Sequence, residues 1–286
     1  MYPDESEIIM RKTWIVTGSS VGLGREIVEA ALAAGHNVVG TARDPRTLAD
    51  FEIRYEGRFS AEKLDVTDPE QSRLVVASVI RRFGGVDVLV NNAGFSGLGA
   101  VENIPIELVE QQFTTNFMGA LHSARAVLPW MRQNGGGRII MVSSIGARIS
   151  TPGAAIYYAS KAAVSALAET LALEVAPFGI MVTAVEPGGM KTRFADAASM
   201  KVSPFDGAYN STVGETVAMM RSVDYQSYLH DPSGHAAMII KLAECEDAPT
   251  RLLAGGDAYD MASGAASVRH DVDKKWESLS RSATTN

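Results

Sequence analysis

A glycine-rich segment between a short apolar run and a helical pattern constrains the fold of this chain more than any other feature. Trp14 to Val16 predicts a buried strand, and Thr17 to Gly24, with the spacing T-G-x-x-x-G-x-G, follows it directly. The next apolar positions have helical periodicity and end at Gly35. This order is typical of a dinucleotide-binding unit, because free N–H groups at a helix start suit a pyrophosphate. A plain strand–helix connection is the alternative.

Strand and helix patterns alternate along the chain without internal repeats. Near-continuous apolar runs such as 86–90 predict parallel strands that are covered on both faces. Short links imply right-handed crossovers, so we expect an α/β fold with a doubly wound, Rossmann-like parallel sheet and ligands at the carboxyl ends of its strands. The predicted strands are 13–17, 37–41, 60–64, 86–91, 138–143, 180–185 and 251–254, and the predicted helices are 23–34, 69–83, 105–132, 154–177 and 234–246.

The whole chain, 1–286, is long enough for one large α/β domain. We expect its core at about 12–260, preceded by a loose leader at 1–10. Residues 193–233 break the alternation of strands and helices. A polar tail is expected at about 262–286, with a frayed end at 280–286.

The sequence YYASK at 157–161, together with Ser144 thirteen positions before Tyr157, indicates acid/base chemistry. A tyrosine can act as an acid or base near neutral pH only if its pKa falls from about 10 toward 7. A lysine one helical turn away favours the phenolate. Because both i,i+3 and i,i+4 neighbours share a helix face, the spacing leaves Tyr157 and Tyr158 as candidates. The alternative is an ordinary helix with an exposed lysine and a buried tyrosine.

These motifs, in this order, resemble those of the short-chain dehydrogenase/reductase family, in its branch of single-domain enzymes. The resemblance runs from about residue 12 to about 192, and more loosely to about 260. It implies hydride transfer between a nicotinamide cofactor and a carbonyl or secondary alcohol substrate. The matching segments are Thr17 to Gly24, Asp65-Val66, Asn91 to Gly94, Asn116, Ser144 with Tyr157 and Lys161, and Pro187-Gly188 leading to Thr192.

The resemblance implies a catalytic set of Asn116, Ser144, Tyr157 and Lys161. The family's spacing and the offset from Ser144 select Tyr157 as the group that gives or takes the proton. Ser144 is expected to polarise the substrate oxygen, whereas strand alternation sends the neighbouring Ser143 the other way. Lys161 is expected to lower the pKa of the phenol and bind the nicotinamide ribose. Asn116 would hold a water linked to Lys161, with a helix kink or polar packing as its alternative role.

The resemblance also implies the residues that contact the cofactor. Asp65 would accept a hydrogen bond from the adenine amine, with a cap-like turn as its alternative role. Asn91 to Gly94 would stabilise the sheet and line the cleft, and Thr192 would meet the carboxamide or simply cap a helix. The expected contacts are Gly18, Ser20, Gly22, Leu23, Gly24, Arg43, Asp65, Val66, Asn92, Ala93, Gly94, Tyr157, Lys161, Pro187, Gly188 and Thr192.

The end of the second strand bears on the choice of cofactor. The family's acidic position falls on Ala42, and Arg43 follows it. A neutral residue followed by arginine suits a 2′-phosphate, because a guanidinium binds phosphate in a fork. Asp44 comes where the chain should already be leaving the site, and a solvated loop charge is the alternative role for Arg43. NADP(H) is therefore favoured over NAD(H).

In the family, the region at 193–233 is a lid over the substrate pocket. Methionine and aromatic side chains here favour a largely apolar substrate, unless they fill a small core of the lid itself. These side chains are Phe194, Met200, Phe205, Tyr209, Met219, Met220, Tyr225 and Tyr228.

Composition excludes several other classes of protein. The net charge of −7 argues against a broad nucleic-acid surface. The single cysteine, Cys245, suits a reducing compartment and is expected to be a small apolar core residue. There is no secretory leader pattern and no apolar run of membrane-spanning length, so a cytoplasmic protein without a membrane partner is expected. The five histidines are scattered and predict no metal site.

The resemblance implies a homodimer or homotetramer built on the long helices at 105–132 and 154–177. The small apolar set proposed for that contact is Ala162, Ala166, Leu167 and Leu171. Two other functions remain as alternatives on the same fold: an NADP-binding sensor, and an NADP-dependent dehydratase or epimerase.

Overall fold

A computed structural model describes residues 11–192 and 201–284 of the chain. The leader predicted at residues 1–10 lies outside the described residues, as do Phe194 and Met200 of the predicted lid. The remainder of the lid region is described from residue 201 onward.

The strands are β1 (Thr13–Val16), β2 (Asn37–Ala42), β3 (Phe59–Lys63), β4 (Val88–Asn91), β5 (Gly97–Leu98), β6 (Gly137–Val142), β7 (Ile180–Pro187), β8 (Lys201–Val202) and β9 (Arg251–Ala254). The helices are α1 (Gly22–Ala33), α2 (Ala49–Arg54), α3 (Pro69–Phe83), α4 (Ile106–Phe113), α5 (Gly119–Gln133), α6 (Ala155–Val175), α7 (Glu215–Arg221), α8 (Val223–Tyr228), α9 (Pro232–Glu244) and α10 (Gly256–Ser282).

Seven strands form one parallel sheet in the order β3-β2-β1-β4-β6-β7-β9, with the short strands β5 and β8 paired separately. The order reverses between β1 and β4, and each long strand is followed by a helix. The predicted doubly wound α/β fold is confirmed, and all seven predicted strands are present. In such a sheet, a ligand crevice opens where the strand order reverses.

Two apolar cores cover the two faces of the sheet, because successive side chains of a strand point in opposite directions. In β1, Trp14 and Val16 face the core that contains α1 and α9. Ile15 lies between them in sequence and faces the opposite core, which contains α3, α5 and α6. This double coverage explains why the strands read as continuous apolar runs rather than alternating ones.

Local sequence sets several helix starts. The Asp68 side chain accepts hydrogen bonds from the N–H groups of Glu70 and Gln71, and Pro69 takes the first position of α3. Asp231 and Pro232 begin α9 in the same way. The helix predicted at 105–132 is divided by a π-helical turn at Thr114–Met118, which separates α4 from α5.

Helix α10 continues to Ser282, so most of the polar tail expected at about 262–286 is helical, which was not predicted from the sequence. Cys245 was wrongly placed in the core: it is exposed at the end of α9. Leu171, one of the residues proposed for a subunit contact, packs in its own core, whereas Ala162 and Ala166 are exposed.

No helix within the described ranges combines the length and apolarity needed to cross a membrane. Among the residues described, no group of three or more histidine, cysteine, aspartate or glutamate side chains could hold a metal ion.

Candidate active site

The glycine turn between β1 and α1 is shaped to admit a phosphate-bearing ligand. Gly18 and Gly22 have φ angles of +64° and +58°, which favour glycine. A Cβ at Gly24 would lie 2.5 Å from the carbonyl oxygen of Gly18, so the turn also needs glycine for close packing. The residue before α1, Val21, offers no side-chain cap, and the first turn of α1 contains no acidic residue. The N–H groups at this helix start are therefore available to an anion.

The residues after β4 fasten this turn to the sheet. Thr17 Oγ1 accepts hydrogen bonds from the N–H groups of Asn92 (3.0 Å) and Ala93 (3.1 Å). Asn92 Nδ2 in turn donates to the carbonyl oxygens of Thr17 and Gly18, each at 3.0 Å. A Cβ at Gly94 would lie 3.0 Å from Asn116 Oδ1, so the segment from Asn91 to Gly94 approaches the predicted catalytic residue Asn116.

Two other predicted contacts of the turn differ in exposure. Leu23, in the first turn of α1, packs its side chain into the core, which leaves only its backbone for a ligand. Ser20 is half-buried. The neighbouring Ser19 is fully buried and donates to the carbonyl oxygen of Thr41 at 3.1 Å, linking the turn to β2.

Arg43 follows the buried Ala42 at the end of β2 and is exposed. Within the described ranges, its guanidinium forms no hydrogen bond or ion pair. The Asp44 carboxylate is held by Arg46, whose Nε and second terminal nitrogen lie 2.9 and 2.8 Å from its two oxygens. Hydrogen bonding to Arg46 lowers the pKa of Asp44. Asp44 is thus occupied locally, and Arg43 is left available to an anionic group.

Asp65 lies in a turn after β3. Its Oδ1 accepts hydrogen bonds from the N–H (3.0 Å) and the hydroxyl (2.8 Å) of Thr67. The turn considered as the alternative role is therefore present, although the cap of α3 is Asp68. Val66 is buried against Gly119, whose lack of a side chain allows α5 to approach.

Ser144 and Tyr157 meet at the carboxyl end of β6. The Tyr157 hydroxyl is hydrogen-bonded to the Ser144 side chain, and Ser144 Oγ accepts from the N–H of Gly146 at 3.0 Å. Tyr158 turns away: its hydroxyl donates to Thr151 Oγ1 at 3.2 Å. Its ring also fills the space that a Cβ of Gly146 would need. The spacing left both tyrosines open, and the structure brings Tyr157 against Ser144.

Lys161 lies one turn further along α6 and is only 4% exposed. Its Nζ donates to the carbonyl oxygen of Val142 at 2.7 Å and lies 6.0 Å from the centre of the Tyr157 ring. A Cβ at Gly94 would lie 3.5 Å from this Nζ, which places the ammonium group beside the predicted cofactor cleft.

Asn116 occupies the π-helical turn between α4 and α5 and is buried. Its Nδ2 donates to the carbonyl oxygen of Phe95 and to Ser160 Oγ, both at 3.0 Å, and its Oδ1 accepts from the N–H of Phe95 at 3.0 Å. The polar packing considered as its alternative role is therefore present. The same contacts fix this turn against α6, on which Tyr157 and Lys161 lie.

Burial is the main cause of the pKa shifts of Tyr157 and Lys161. Burial raises the pKa of Tyr157, and the hydrogen bond with Ser144 offsets part of that effect. Burial also lowers the pKa of Lys161 to about 8. The sequence predicted that Lys161 lowers the pKa of Tyr157; in this structure desolvation raises that pKa instead, and the Lys161 ammonium group is held on the carbonyl oxygen of Val142. The phenol is therefore neutral near pH 7 and able to donate a proton.

The loop after β7 closes the other side of the cleft. Pro187 ends β7, and the N–H of Gly188 donates to the carbonyl oxygen of Ala254 at 3.1 Å. Thr192 lies over the glycine turn, where a Cβ at Gly22 would be 3.2 Å from the Thr192 Cβ. These residues thus approach the same crevice as the glycine turn.

Asp257, in the first turn of α10, was missed by the sequence reasoning. Its Oδ2 accepts from the N–H of Gly189 at 2.8 Å, and its carboxylate fills the space where Gly188 has no side chain. An acidic residue in a first helical turn is a recognisable signal, but only if the segment is recognised as a helix.

Glu186 was also missed, although it directly precedes Pro187. Its side chain is fully buried, and its carboxylate accepts from Arg148 Nε at 2.5 Å and from Arg251 Nε at 2.8 Å. A second nitrogen of Arg251 lies 2.5 Å from the same oxygen. Two cations, one from the loop after β6 and one from the start of β9, therefore neutralise one buried carboxylate beneath the site.

This buried carboxylate is connected to α6. Ser165 Oγ donates to Glu186 Oε1 at 2.8 Å. Ser143 Oγ lies 2.8 Å from Ser165 Oγ and 2.8 Å from the carbonyl oxygen of Lys161. Ser143 thus faces away from the site, as strand alternation predicted, and contacts the backbone of the helix that bears Lys161.

The apolar side chains in the described part of the lid have two kinds of surroundings. Phe205 and Tyr209 pack against Val213 and Val217 in a small core of the lid itself. Tyr225 of α8 interacts electrostatically with Tyr157, and burial raises the pKa of Tyr225. The small-core role is therefore present for Phe205 and Tyr209, and a role of the lid's apolar residues in contacting substrate stays a prediction.

Comparison with known proteins gives consistent matches. The sequence model of the family described as short chain dehydrogenase matches residues 12–202. The chain is 41% identical over 272 residues to Oxidoreductase BOA17 of Botryotinia fuckeliana, covering 95% of this chain and 98% of that protein. It is 40% identical over 182 residues to 3-ketodihydrosphingosine reductase of Bacteroides thetaiotaomicron, covering 64% of this chain and 65% of that protein.

Solved structures show the same fold. A short-chain dehydrogenase from Streptomyces avermitilis superposes with a TM-score of 0.87 at 40% identity, covering 96% of this chain and 100% of that one. The structure of ElxO with NADP bound superposes with a TM-score of 0.70 at 26% identity, covering 85% of this chain and 96% of that one.

Proposed function

Because the chain belongs to the short-chain dehydrogenase/reductase family and is an oxidoreductase of that family, we propose that it transfers hydride between NADP(H) and a largely apolar carbonyl or secondary alcohol. The observation that carries this proposal is the hydrogen bond between Tyr157 and Ser144 at the carboxyl edge of the sheet. It leaves a neutral phenol and a second hydroxyl directed at one substrate oxygen.

The residues would divide the work as follows. When bound, the nicotinamide supplies or accepts the hydride. In reduction, Tyr157 gives its proton to the carbonyl oxygen, which Ser144 hydrogen-bonds, and in oxidation Tyr157 takes that proton back. Lys161 provides a positive charge beside the nicotinamide ribose. Asn116 holds the turn that packs against Ser160, and so positions α6.

NADP(H) rather than NAD(H) is supported by Arg43, which is exposed and unpaired within the described ranges, and by the pairing of Asp44 with Arg46. A guanidinium there suits a 2′-phosphate. The relative ElxO has NADP bound in its structure. The glycine turn, with its uncapped helix start, suits the pyrophosphate of the same molecule.

The apolar character of the substrate is supported by the aromatic residues of the lid, of which Tyr225 is near Tyr157. The name of one relative, 3-ketodihydrosphingosine reductase, is that of a ketone reductase. The proposal includes a cytoplasmic location, with which an unpaired, exposed Cys245 is compatible. It also includes a homodimer or homotetramer formed through α5 and α6, where Ala162 and Ala166 are exposed.

The test is a pair of matched substitutions. Tyr157→Phe should abolish turnover of NADPH with a panel of ketones and aldehydes and retain cofactor binding, since the ring still packs and only the proton donor is lost. Tyr158→Phe should retain turnover, because its hydroxyl bonds Thr151 instead. Absorbance of reduced nicotinamide reports turnover, and fluorescence titration reports binding. The reverse pattern would contradict the assignment, and binding without turnover of any substrate by the wild-type protein would favour the sensor.

A further inference from the structure

Most of α10 is exposed, although Arg269 donates a hydrogen bond to the carbonyl oxygen of Arg148 at 2.6 Å. Its first turns are anchored by Ala258 and Ala262, which pack against Ile145. From Ala266 to Thr284 every residue is exposed, and helix continues to Ser282. At 1.5 Å per residue, this exposed helical segment is about 25 Å long.

One face of the exposed segment is apolar. Val268, Val272, Trp276 and Leu279 follow one another at helical spacing, and each is between 50% and 64% exposed. The opposite face contains residues such as Ser267, which are polar. An isolated helix of this length is marginal in water, and an amphipathic helix gains its stability by packing its apolar face. The segment therefore lacks, within the described chain, the contact that its sequence is suited to make.

We propose that α10 pairs antiparallel with α10 of a second copy of this chain, through this apolar face. With the twofold axis near residue 274, the exposed segments overlap along their whole length. Val268 then lies opposite Leu279 of the second copy, and Val272 lies opposite Trp276 of the second copy. The contact is isologous, so each of these pairs occurs twice.

Charge supports a second copy as the partner. Residues 266–284 contain four basic and three acidic side chains. This nearly balanced charge does not suit an anionic membrane or a nucleic acid.

Asp271 and Lys275 lie along the same edge of the apolar face, because they are four residues apart. Neither forms a salt bridge with another described residue. Antiparallel pairing about residue 274 brings Asp271 of each copy near Lys275 of the other. This edge of one helix therefore has charges that complement those on the same edge of the second copy, as a twofold contact requires.

The test compares two substitutions that each add one negative charge to the same turn of α10. Val268→Glu places the charge on the apolar face, and Ser267→Glu places it on the polar face. Sedimentation over a range of concentrations should show that Val268→Glu, and truncation after Ala265, halve the mass or raise the subunit dissociation constant at least tenfold. Ser267→Glu should match the wild type. Equal masses for Val268→Glu and wild type, equal losses for both variants, or a monomeric wild type would each overturn the proposal.

Cross-linking tests the orientation separately from helix stability. In a Cys245→Ser background, mixed Val268→Cys and Leu279→Cys proteins should form a disulfide with each other, and Leu279→Cys alone should not. Self-linking at position 279 would indicate parallel helices and overturn the antiparallel pairing. A vesicle arm with phosphatidylserine should show no binding, and wild-type binding that Val268→Glu abolishes without a change of mass would assign the face to lipid instead. Nicotinamide turnover is not needed in any arm.

Discussion

Glu186→Gln tests whether the buried carboxylate beneath the site holds it together. The substitution preserves size and leaves an acceptor for Ser165, but it removes the charge shared by Arg148 and Arg251. Removing one partner of a buried ion pair costs about 3–5 kcal/mol. Because the two arginine side chains are 30% and 24% exposed, water can solvate them in part. We therefore expect a loss near the low end, about 3 kcal/mol.

The matched control is Glu169→Gln, which removes the other carboxylate that pairs with Arg251, at 3.3 Å. Glu169 is 45% exposed, so its loss should cost less than about 1 kcal/mol. Free energies of unfolding from urea titrations at one protein concentration give both values. If Glu186→Gln costs no more than Glu169→Gln, the buried carboxylate is not a stabilising centre.

Catalysis provides a second measurement on the same variant. Ser165 and Ser143 connect Glu186 to the carbonyl oxygen of Lys161. Loss of the charge should therefore lower kcat more than it raises KM for the carbonyl substrate, since it disturbs the helix that bears Tyr157. A purely structural role would lower stability and leave the kcat of the folded fraction unchanged.

Three further predictions follow from the site. Arg43→Ala should weaken NADPH binding by about 1–3 kcal/mol and leave NADH binding nearly unchanged, and equal losses for the two cofactors in a fluorescence titration would contradict this. Burial lowers the pKa of Lys161 from 10.5 to about 8, so as the pH rises the folded state loses this proton before the unfolded state does. The free energy of unfolding of the wild type, relative to that of Lys161→Met, should therefore rise by about 3 kcal/mol as the pH increases between those two values. Urea titrations that show a flat difference would refute that shift. Light scattering should give two or four times the chain mass of 30.5 kDa, and a fully active monomer would exclude the proposed subunit contact through α5 and α6.

The central sheet could be predicted from sequence because its signal is local. Strands buried on both faces leave continuous apolar runs, and glycine or aspartate marks their ends. The π-helical turn at Thr114–Met118 could not be predicted, because it depends on Asn116 bonding to Phe95 and Ser160 from other elements. The exposed part of α10 was missed for another reason: its many polar residues resemble a solvated tail.

For the tyrosine and Lys161, spacing in the sequence predicts only part of the arrangement. The distance in sequence from a tyrosine to a lysine predicts that they share a helix face, but not which tyrosine reaches Ser144. That choice depends on Gly146, whose missing side chain makes room for the Tyr158 ring. Nor does spacing give the direction of a pKa shift, since the shift of Tyr157 is dominated by burial.

Asn91, Ser143 and Glu186 anchor the site from the ends of three strands, and strand geometry explains their common arrangement. Where a parallel strand ends at the cleft, two successive polar or loop-forming residues point to opposite sides. One reaches the crevice, and its neighbour is buried and bonds the helix or loop behind it. Polar side chains next to a motif residue are therefore candidates for holding the motif in position, even when they take no part in the reaction. The pairs are Asn91 and Asn92 at the end of β4, Ser143 and Ser144 after β6, and Glu186 and Pro187 at the end of β7.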